Sequence, residues 1–400
     1  MKNILICSGV FPPEPITSAK LNFDLAMALS DKYGVTVLTP KPTRPYGYVF
    51  DNAPTPSYPF KHIVLDSYTH PRSSFIGRMR ESISFGRKCK KFIEENKEDI
   101  DFVYNCGWQI FGLYIIAKTC VKYNIPYIVP IQDVYPESLS SKLPQIRFIK
   151  WLLKHTIGKL DKYYQRHAYR VRTITDSMAD YLSRTRNVTL ENYLVVANWQ
   201  DETCFINTHS SQIYDETIRF MFAGNNNKQA NVDLIIYAFM KANIPNSKLY
   251  IMGGGNAKEH CEQIVNDSKC ENIFFGNIPE GKVAEIQEKA DVMVLALKKG
   301  TGTQGVPSKL TAYMLSGKPI IASVDTNCDT ARIIHNANCG IVVAPDDINA
   351  LADAFIKISQ MKKSTLDDLG KNSKEYALKN LSRTSNLEKI CNCIIDLLGK

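Results

Sequence analysis

The sequence lacks the features that mark several large protein classes. No apolar run approaches the roughly 20 residues that a bilayer-spanning helix requires, so no membrane span is predicted. The eleven cysteines include no Cys-x-x-Cys pair, which argues against a zinc site or a disulfide framework and suggests buried thiols in a reducing compartment. The seven histidines show no spacing typical of a metal site or a catalytic triad. We therefore expect neither a bound metal nor a cofactor.

The excess positive charge is confined to the first half of the chain. Residues 1–200 carry 27 Lys and Arg against 17 Asp and Glu, a net +10, whereas residues 201–400 carry 22 against 23, a net −1. Such an asymmetry indicates an anionic partner: phosphate, a membrane surface or nucleic acid. Nucleic acid is not expected, because the basic segments contain neither an aromatic-interleaved strand motif nor a recognition-helix pattern.

Short β-rich runs alternate with helical patterns along the chain, which predicts α/β architecture with parallel sheets. The opening MKNILICSGVF has no small-residue cleavage site and predicts a first strand rather than a signal peptide. Because 400 residues exceed one ordinary core, we expect two doubly wound domains. The predicted divisions are a first domain over 1–201, a linker over 202–217, a second domain over 218–375 and a C-terminal helix over 376–400 that packs back on the first domain. The predicted strands are 2–8, 35–39, 62–65, 101–105, 127–132, 171–175 and 193–198, then 219–223, 248–252, 272–276, 291–296, 319–322 and 340–343.

A candidate anion site lies between Asp291 and Ser323. An apolar strand leads into a Gly/Thr loop, and a helix over 309–315 follows Pro307-Ser308. We interpret Ser308 as the N-cap of this helix. The free N–H groups of the first helical turn, the helix dipole and the Lys309 ammonium suit a diphosphate. The alternative is a plain strand–helix–strand crossover with an ordinary cap.

Five motifs, in order along nearly the whole chain, resemble those of retaining glycosyltransferases of family four. They are most similar to the bacterial branch that builds capsule and O-antigen repeat units on a lipid carrier. The motifs are FPPEPITSAKLNFDLAMALS (11–30), IQDVYPESL (131–139), ANWQDETCF (197–205), FMFAGNNNKQANVDLIIYAF (220–239) and PSKL-x-x-YM-x-x-GKPIIAS (307–323). The resemblance implies a GT-B fold, in which two Rossmann-like domains face a central cleft. It also implies a nucleotide-sugar donor, expected to be a UDP-sugar, retention at the anomeric carbon and no essential metal.

The resemblance places the donor on the second domain. Lys228 matches the basic residue that the family sets against the departing nucleotide diphosphate, and Lys309 is a second cation. The alternative for Lys228 is a surface residue on a solvated loop. The glycine loops after two strands border the nucleotide base in the family, although each can be a simple tight turn. The predicted donor-binding residues are Gly224, Asn225, Gly253, Gly254, Asn277, Ile278, Gln304, Ser308 and Leu310.

The first domain supplies the candidate acceptor residues. Asp133 follows an apolar strand at the carboxyl edge of the predicted sheet, where ligands meet such folds. It is the candidate for binding the acceptor hydroxyl and accepting its proton, and the alternative is that it caps a turn before Pro136. Glu14 either serves as this base instead of Asp133 or only orders its loop, and Ser18 and Lys20 complete the predicted acceptor set. The implied acceptor is a polyprenyl-diphosphate-linked saccharide.

Two basic stretches suggest a membrane-facing surface. Seven basic residues lie between Arg72 and Lys91, and nine lie between Lys142 and Arg172, each stretch with one acid. In the second stretch apolar residues recur at three- and four-residue steps, which predicts an amphipathic helix. Its apolar stripe can pack on the first sheet while the basic face is solvated or contacts anionic headgroups. The expected location is cytoplasmic, on the inner face of the cell membrane. The predicted membrane contacts are Arg147, Lys150, Lys154 and Lys162.

The chain departs from the family at two glutamates, of which the first lies near the sugar and the second on the ribose. Counting from Gly317-x-Pro319, those positions hold Gln304 and Ala312. The Gln304 amide can bond a sugar hydroxyl, whereas Ala312 cannot hold a ribose diol. Thr17-Ser18 also replaces a glycine pair found in many relatives. These departures favour an alternative, a catalytically weak homologue that serves as a scaffold. A nucleotide-sugar epimerase is a third hypothesis.

Overall fold

The computed structural model describes residues 1–44, 50, 57–70, 74–107, 110–135, 137, 155–206, 216–300 and 305–399. Two compact units account for these residues. The first comprises Met1–Val196 together with Leu387–Lys400, and the second comprises Ala197–Asn386. Each unit is built on one parallel sheet with intervening helices, which confirms the predicted α/β architecture with two doubly wound domains.

The first unit has a seven-stranded sheet in the order β3-β2-β1-β4-β5-β6-β7, and every neighbouring pair is parallel. Ile4 to Cys7 of β1 form a continuous buried apolar run, as expected for a central strand covered on both faces. The strands are β1 (Asn3–Ser8), β2 (Gly34–Pro40), β3 (Lys61–Leu65), β4 (Phe102–Cys106), β5 (Tyr127–Ile131), β6 (Arg170–Thr173) and β7 (Tyr193–Val195). The helices are α1 (Thr17–Ser30), α2 (Phe75–Glu95), α3 (Phe111–Lys122), α4 (Ile157–Arg166) and α5 (Asp176–Arg186), with short 3₁₀ turns at Lys97–Asp99 and Leu190–Asn192.

The second unit has a six-stranded parallel sheet in the order β10-β9-β8-β11-β12-β13. Its strands are β8 (Ile218–Ala223), β9 (Ser247–Met252), β10 (Ile273–Gly276), β11 (Val292–Ala296), β12 (Ile320–Ser323) and β13 (Gly340–Val343). Its helices are α6 (Thr203–Ile206), α7 (Val232–Ala242), α8 (Lys258–Ser268), α9 (Val283–Glu288), α10 (Ser308–Leu315), α11 (Asp329–Ala337), α12 (Ile348–Ser359) and α13 (Lys363–Asn380). A last helix, α14 (Arg383–Leu398), begins in this unit and enters the first unit at Leu387. All thirteen predicted strands are present, and their ends differ from the predicted ends by up to three residues.

The unit boundaries differ from the predicted divisions at both crossings. Glu202–Ile206, predicted as linker, belongs to the second unit, because Phe205 is buried in its core and the Glu202 carboxylate accepts the backbone N–H of Arg383. Residues 207–215 lie outside the described residues. At the other end the chain leaves the second unit at Leu387 rather than at 376, because Ala377 of α13 is fully buried in the second core.

Candidate functional site

The second sheet changes winding direction between β8 and β11. From β8 the chain builds outward through β9 and β10, and from β11 it builds in the other direction through β12 and β13. Ligands of open α/β sheets bind beyond the carboxyl ends of the strands at such a switch point. The segment that leaves β8 here is Gly224-Asn225, and the helix that follows β11 is α10, which begins at Ser308.

Lys309 connects these two segments. Its Nζ donates a hydrogen bond of 2.8 Å to the carbonyl of Asn225 and lies 4.4 Å from the ring centroid of Phe222. Gly224 makes room for the side chain, since a Cβ at that position would stand 2.4 Å from the Lys309 Cε. Burial lowers the pKa of the Lys309 ammonium to about 8. No carboxylate of the described residues forms an ion pair with Lys309, so a desolvated cation is left to attract an anion.

Backbone hydrogen bonds hold the loops after β8, β9 and β10 together. The Gly224 N–H donates to Met252 O at 2.9 Å, and the Gly253 N–H donates to Gly276 O at 2.8 Å. Gly253 has a φ of +119°, and a Cβ there would lie 2.3 Å from Gly224 O. Glycine at 253 is therefore required by both its backbone conformation and the close approach of the neighbouring loop. A Cβ on Gly254 would meet no atom within 4 Å, so packing does not explain that glycine.

Sequence reasoning missed the role of Tyr313. Its hydroxyl donates to Ala223 O at 2.9 Å and accepts from Ala223 N at 2.8 Å, while its ring is fully buried. The β8–β11 ladder pairs Phe220 and Met221 and does not reach Ala223, so the hydroxyl bonds the strand end in place of a neighbouring strand. Tyr313 thus attaches α10 to the end of β8. The signal was present as the Tyr-Met pair of the motif in residues 307–323.

The start of α10 corrects two predictions. Ser308 is the first helical residue and exposed, whereas Pro307 occupies the N-cap position without a side-chain capping bond. The predicted Ser308 cap was wrong, because the backbone is extended at Pro307 and helical from Ser308 onward, which makes Pro307 the N-cap. Leu310 cannot contact a donor through its side chain, which is fully buried in the core, and its N–H already donates to Pro307 O. The N–H groups of Ser308 and Lys309 have no intrahelical acceptors and remain suited to an anion.

The other predicted donor residues are placed as follows. Lys228 is exposed and forms no hydrogen bond or ion pair with the described part of the chain. Asn277 is exposed and accepts a 3.1 Å hydrogen bond from Lys258 Nζ, whereas Ile278 packs partly against the core. Gln304 lies outside the described residues, and its role stays a prediction. Ala312, at the position of the expected ribose glutamate, is buried in the core cluster.

In the first unit Glu14 orders a loop. Its carboxylate is buried and accepts the backbone N–H of Thr43 at 2.8 Å and of Arg44 at 2.9 Å. Burial raises the pKa of Glu14, and the Thr43 N–H partly opposes that effect. Of the two interpretations of Glu14, these contacts support loop ordering.

The remaining acceptor candidates lie at the carboxyl ends of the strands or on the following helix. Ser18, near the start of α1, donates from Oγ to the side-chain oxygen of Gln132 at 3.2 Å. Gln132 directly follows β5 and precedes Asp133, which is exposed. Lys20 is exposed on α1. The structure therefore joins the Ser18 and Asp133 segments through one hydrogen bond and leaves Lys20 apart from that contact.

Glu81 is a buried acid that the sequence presented only as the one acid of a basic stretch. It accepts from Arg44 at 2.5 Å and from Arg78 at 2.9 Å, and the backbone N–H of His70 also donates to it. Burial raises the pKa of Glu81 to about 6, although the His70 N–H and the Arg78 charge act in the opposite direction. The cluster anchors the start of α2 to the segment after β2.

The predicted membrane contacts are described only in part. Arg147, Lys150 and Lys154 lie outside the described residues, and Lys162 is half-buried on α4. Ile157 and Tyr164 of the predicted apolar stripe are buried in the first unit. Helix α2 presents a basic exposed face with Arg80, Arg87, Lys88, Lys90 and Lys91.

Neither a membrane-spanning helix nor a metal-binding cluster is found in the described part of the chain. None of its helices is both long and apolar enough to cross a membrane. Across the same residues, no cluster of three or more His, Cys, Asp or Glu side chains is arranged to hold a metal ion.

Comparison with known proteins supports a glycosyltransferase. The family model "Glycosyl transferases group 1" matches residues 206–376. The chain is 26% identical over 182 residues to the probable glycosyltransferase WbjE of Pseudomonas aeruginosa, and the match spans 45% of each chain, so less than half of that relative is covered.

Solved structures match over nearly the whole chain. The structure of Alr3699/HepE from Anabaena in complex with UDP has a TM-score of 0.68 at 13% identity, covering 99% of this chain and 100% of that one. The structure of WaaG, a glycosyltransferase involved in lipopolysaccharide biosynthesis, has a TM-score of 0.59 at 15% identity, covering 97% and 98%. At these identities the likeness shows the fold alone. Residues 206–376 thus match the glycosyltransferase group 1 model, in a chain whose two parallel sheets have the fold of GT-B glycosyltransferases.

Proposed function

We propose that this chain is a retaining glycosyltransferase that moves a sugar from a UDP-sugar to a lipid-linked saccharide in bacterial surface polysaccharide synthesis. The observation that carries the proposal is the Lys309 ammonium, which lies half-buried at the switch point of the second sheet and forms no ion pair with any described residue. A cation desolvated in this way is stabilised when an anion binds. The diphosphate of a nucleotide sugar is such an anion, and the UDP complex of the similar Anabaena protein is consistent with it.

In the proposed reaction the second unit stabilises the departing diphosphate. We propose that Lys309, Lys228 and the free N–H groups at the start of α10 act together on this diphosphate. Negative charge develops there as the glycosidic bond of the donor breaks. Since Lys309 is already bonded to Asn225 and packed on Phe222, little reorganisation accompanies binding. Two lysines and a helix terminus supply the charge that a divalent cation provides in other transferases, so we propose that no metal is needed. Retention at the anomeric carbon follows the family resemblance.

The acceptor half of the reaction is assigned to the first unit. Asp133 is exposed beyond the carboxyl end of β5 and is proposed to accept the proton of the acceptor hydroxyl. Glu14 is not proposed as this base, because its carboxylate is buried and accepts two backbone N–H groups. The basic exposed face of α2 is proposed to contact the anionic membrane that contains the acceptor lipid, together with the predicted residues between 147 and 162.

A thermal-shift panel of nucleotide sugars tests the donor assignment. A ligand that binds the native state raises the unfolding temperature, so UDP-sugars should stabilise the protein more than GDP- or ADP-sugars do. The shift and the subsequent release of UDP should persist in EDTA. If no nucleotide or nucleotide sugar stabilises the protein, the scaffold alternative is correct. Conversion of the donor sugar without transfer would instead identify an epimerase.

Vesicle flotation tests the membrane assignment. The protein should float with anionic vesicles and not with neutral ones, and each lysine or arginine near the surface contributes about 1 kcal/mol. Reversal of Arg80, Arg87 and Lys91 to Glu should release it, and added salt should have the same effect. Reversal of Lys248, Lys269 and Lys282, which belong to the second unit, is the matched control. If the wild-type protein does not bind anionic vesicles, the membrane contact is disproved.

A further inference from the structure

A buried arginine in the first unit binds the chain beyond the end of β5. Arg186 is the last residue of α5, and its side chain is 5% exposed. Its Nη1 and Nη2 atoms each donate to one carboxylate oxygen of Glu137, both at 2.8 Å. Nη2 also donates to the backbone carbonyl of Tyr135. A two-pronged pair of this kind fixes orientation as well as distance.

The bound residues belong to the same short segment as the candidate base. β5 ends at Ile131, Asp133 follows two residues later, and Tyr135 and Glu137 come next. Residues 132–135 form no helix or strand, so their position depends on contacts made outside the segment. Arg186 holds this segment both through its backbone and through a side chain. The Tyr181 hydroxyl adds a 2.8 Å bond to Glu137, which further restrains it.

The Nε atom of the Arg186 guanidinium is bound by residues in the core of the first unit. Arg186 Nε donates to the buried carboxylate of Asp161 on α4 at 2.5 Å. Asp161 also accepts from the Tyr164 hydroxyl, and the Tyr164 carbonyl in turn accepts from Tyr127 at the start of β5. The arginine therefore connects an exposed segment to a fully buried and hydrogen-bonded support.

We propose that Arg186 is a positioning residue for the acceptor step, because it holds the segment after β5 so that Asp133 is presented at the carboxyl end of the sheet. The inference rests on the proposed function, in which Asp133 accepts the acceptor proton. Stability alone is a weak reason for such a network, since apolar residues of similar size often replace buried ion pairs without loss. A reaction that depends on the placement of one carboxylate is a strong reason, since small displacements of a reacting group are costly.

Glu137→Gln tests the inference with a variant that is expected to fold. Glutamine has the same length but loses the charge-assisted pair, and the Glu137 side chain is 39% exposed. Hydrogen exchange of the peptide that contains residues 131–135 should accelerate. Sugar transfer from the UDP-sugar of largest thermal shift to extracted bacterial polyprenyl-linked lipids should fall in kcat by about tenfold or more. The Kd for that UDP-sugar should not change. Arg186→Lys should give a smaller fall in kcat, because lysine keeps the charge but cannot donate two parallel hydrogen bonds to Glu137.

Asp161→Asn is the matched control. It removes the charge that accepts from Arg186 Nε, while the hydrogen bonds of Arg186 to Tyr135 and Glu137 remain. It should lower Tm more than Glu137→Gln does and lower kcat less, because the direct contacts to the segment are kept. Adding Glu137→Gln to Asp133→Asn should cause no further fall in kcat, because the positioned group is already absent. Equal losses of kcat in the Glu137 and Asp161 variants, or additive losses with Asp133→Asn, would overturn the positioning role.

Failure of the proposed function and failure of the Arg186 role give different experimental results. If Asp133→Asn transfers sugar normally, or if no UDP-sugar binds, the proposed function fails and the positioning role falls with it, even where hydrogen exchange still reports the anchoring. If Asp133→Asn abolishes transfer while Glu137→Gln retains full kcat, the proposed function stands and only the role of Arg186 is disproved.

Discussion

Charged side chains at the carboxyl ends of the two sheets differ in whether other residues bind them. At the second sheet Lys309 is half-buried and forms no ion pair with any described residue, and Lys228 is exposed without a described partner. At the first sheet the buried acids are satisfied. Glu14 accepts two backbone N–H groups, and Glu81 lies between two arginines. The first end therefore uses its buried charges to order loops, whereas the second leaves positive charge available to a ligand.

This difference reverses what net charge suggests. The first half of the chain has an excess of ten positive charges, yet the proposed diphosphate site lies in the half whose net charge is −1. Net charge describes the long-range field and the surface, while affinity for a buried phosphate depends on a few desolvated groups. The predictions below test the contrast between the two sheet ends, beginning with the largest expected effect.

Gly253→Ala should abolish detectable donor binding. The new Cβ would stand 2.3 Å from Gly224 O, and a φ of +119° adds strain of about 1–3 kcal/mol, so the loops after β8 and β9 must separate. Gly254→Ala is the matched control, since a Cβ there meets nothing within 4 Å. Calorimetry with the best UDP-sugar measures both variants. Equal donor affinity in the two variants would show that the loops after β8 and β9 do not border the donor.

Lys309→Met should lower kcat/KM by about 10²-fold or more, because one stabiliser of the departing diphosphate is lost. Its Tm should hold or rise, since the cost of burying a charge disappears. Lys318→Met is the control, because burial also lowers the pKa of Lys318. Its Nζ donates to Glu288 O near the amino ends of β11 and β12, away from the proposed site. That variant should change Tm and leave the kinetics near those of the wild type. Steady-state kinetics that are the same for both variants would remove Lys309 from the site.

Donor affinity should fall as pH rises above about 8, by about tenfold per pH unit, because the free protein then loses the Lys309 proton that the diphosphate requires. The pKa of Lys309 lies below its ordinary value of 10.5, so the unfolded chain binds more protons between about 8 and 10.5. The stability of the protein without donor therefore gains from this group as pH rises through that window. Calorimetric Kd values measured across it, with Lys309→Arg as the charged control, check the effect. An affinity that is flat in the wild type would contradict it.

Glu14→Gln should leave kcat almost unchanged, whereas Glu14→Ala should reduce the free energy of unfolding by about 1–3 kcal/mol. Glutamine keeps an oxygen that can accept the Thr43 and Arg44 N–H groups, and alanine leaves both without it. Urea denaturation and steady-state kinetics separate the two outcomes. A fall of about 10²-fold in kcat for the conservative Glu14→Gln change would make Glu14 a catalytic base and would remove the contrast between the sheet ends.

The sequence by itself determined the architecture. Most of the thirteen strands are short apolar runs, and such runs can be recognised without knowledge of their neighbours. It also predicted a donor site that includes Gly224, Gly253 and Lys309, since the two glycines directly follow strands and Lys309 lies at the start of the helix after β11.

Only the tertiary structure decided which of these groups are satisfied. In the sequence Glu14 was a candidate for the acceptor site and Glu81 was only the one acid of a basic stretch. In the structure backbone N–H groups bind Glu14, and two arginines bind Glu81. The same holds for Tyr313, which bonds a strand end 90 residues away, and for Arg186, which reaches Glu137 from 49 residues away. The free energy of a charged or polar group depends on the partners that surround it, and long-range folding brings those partners together.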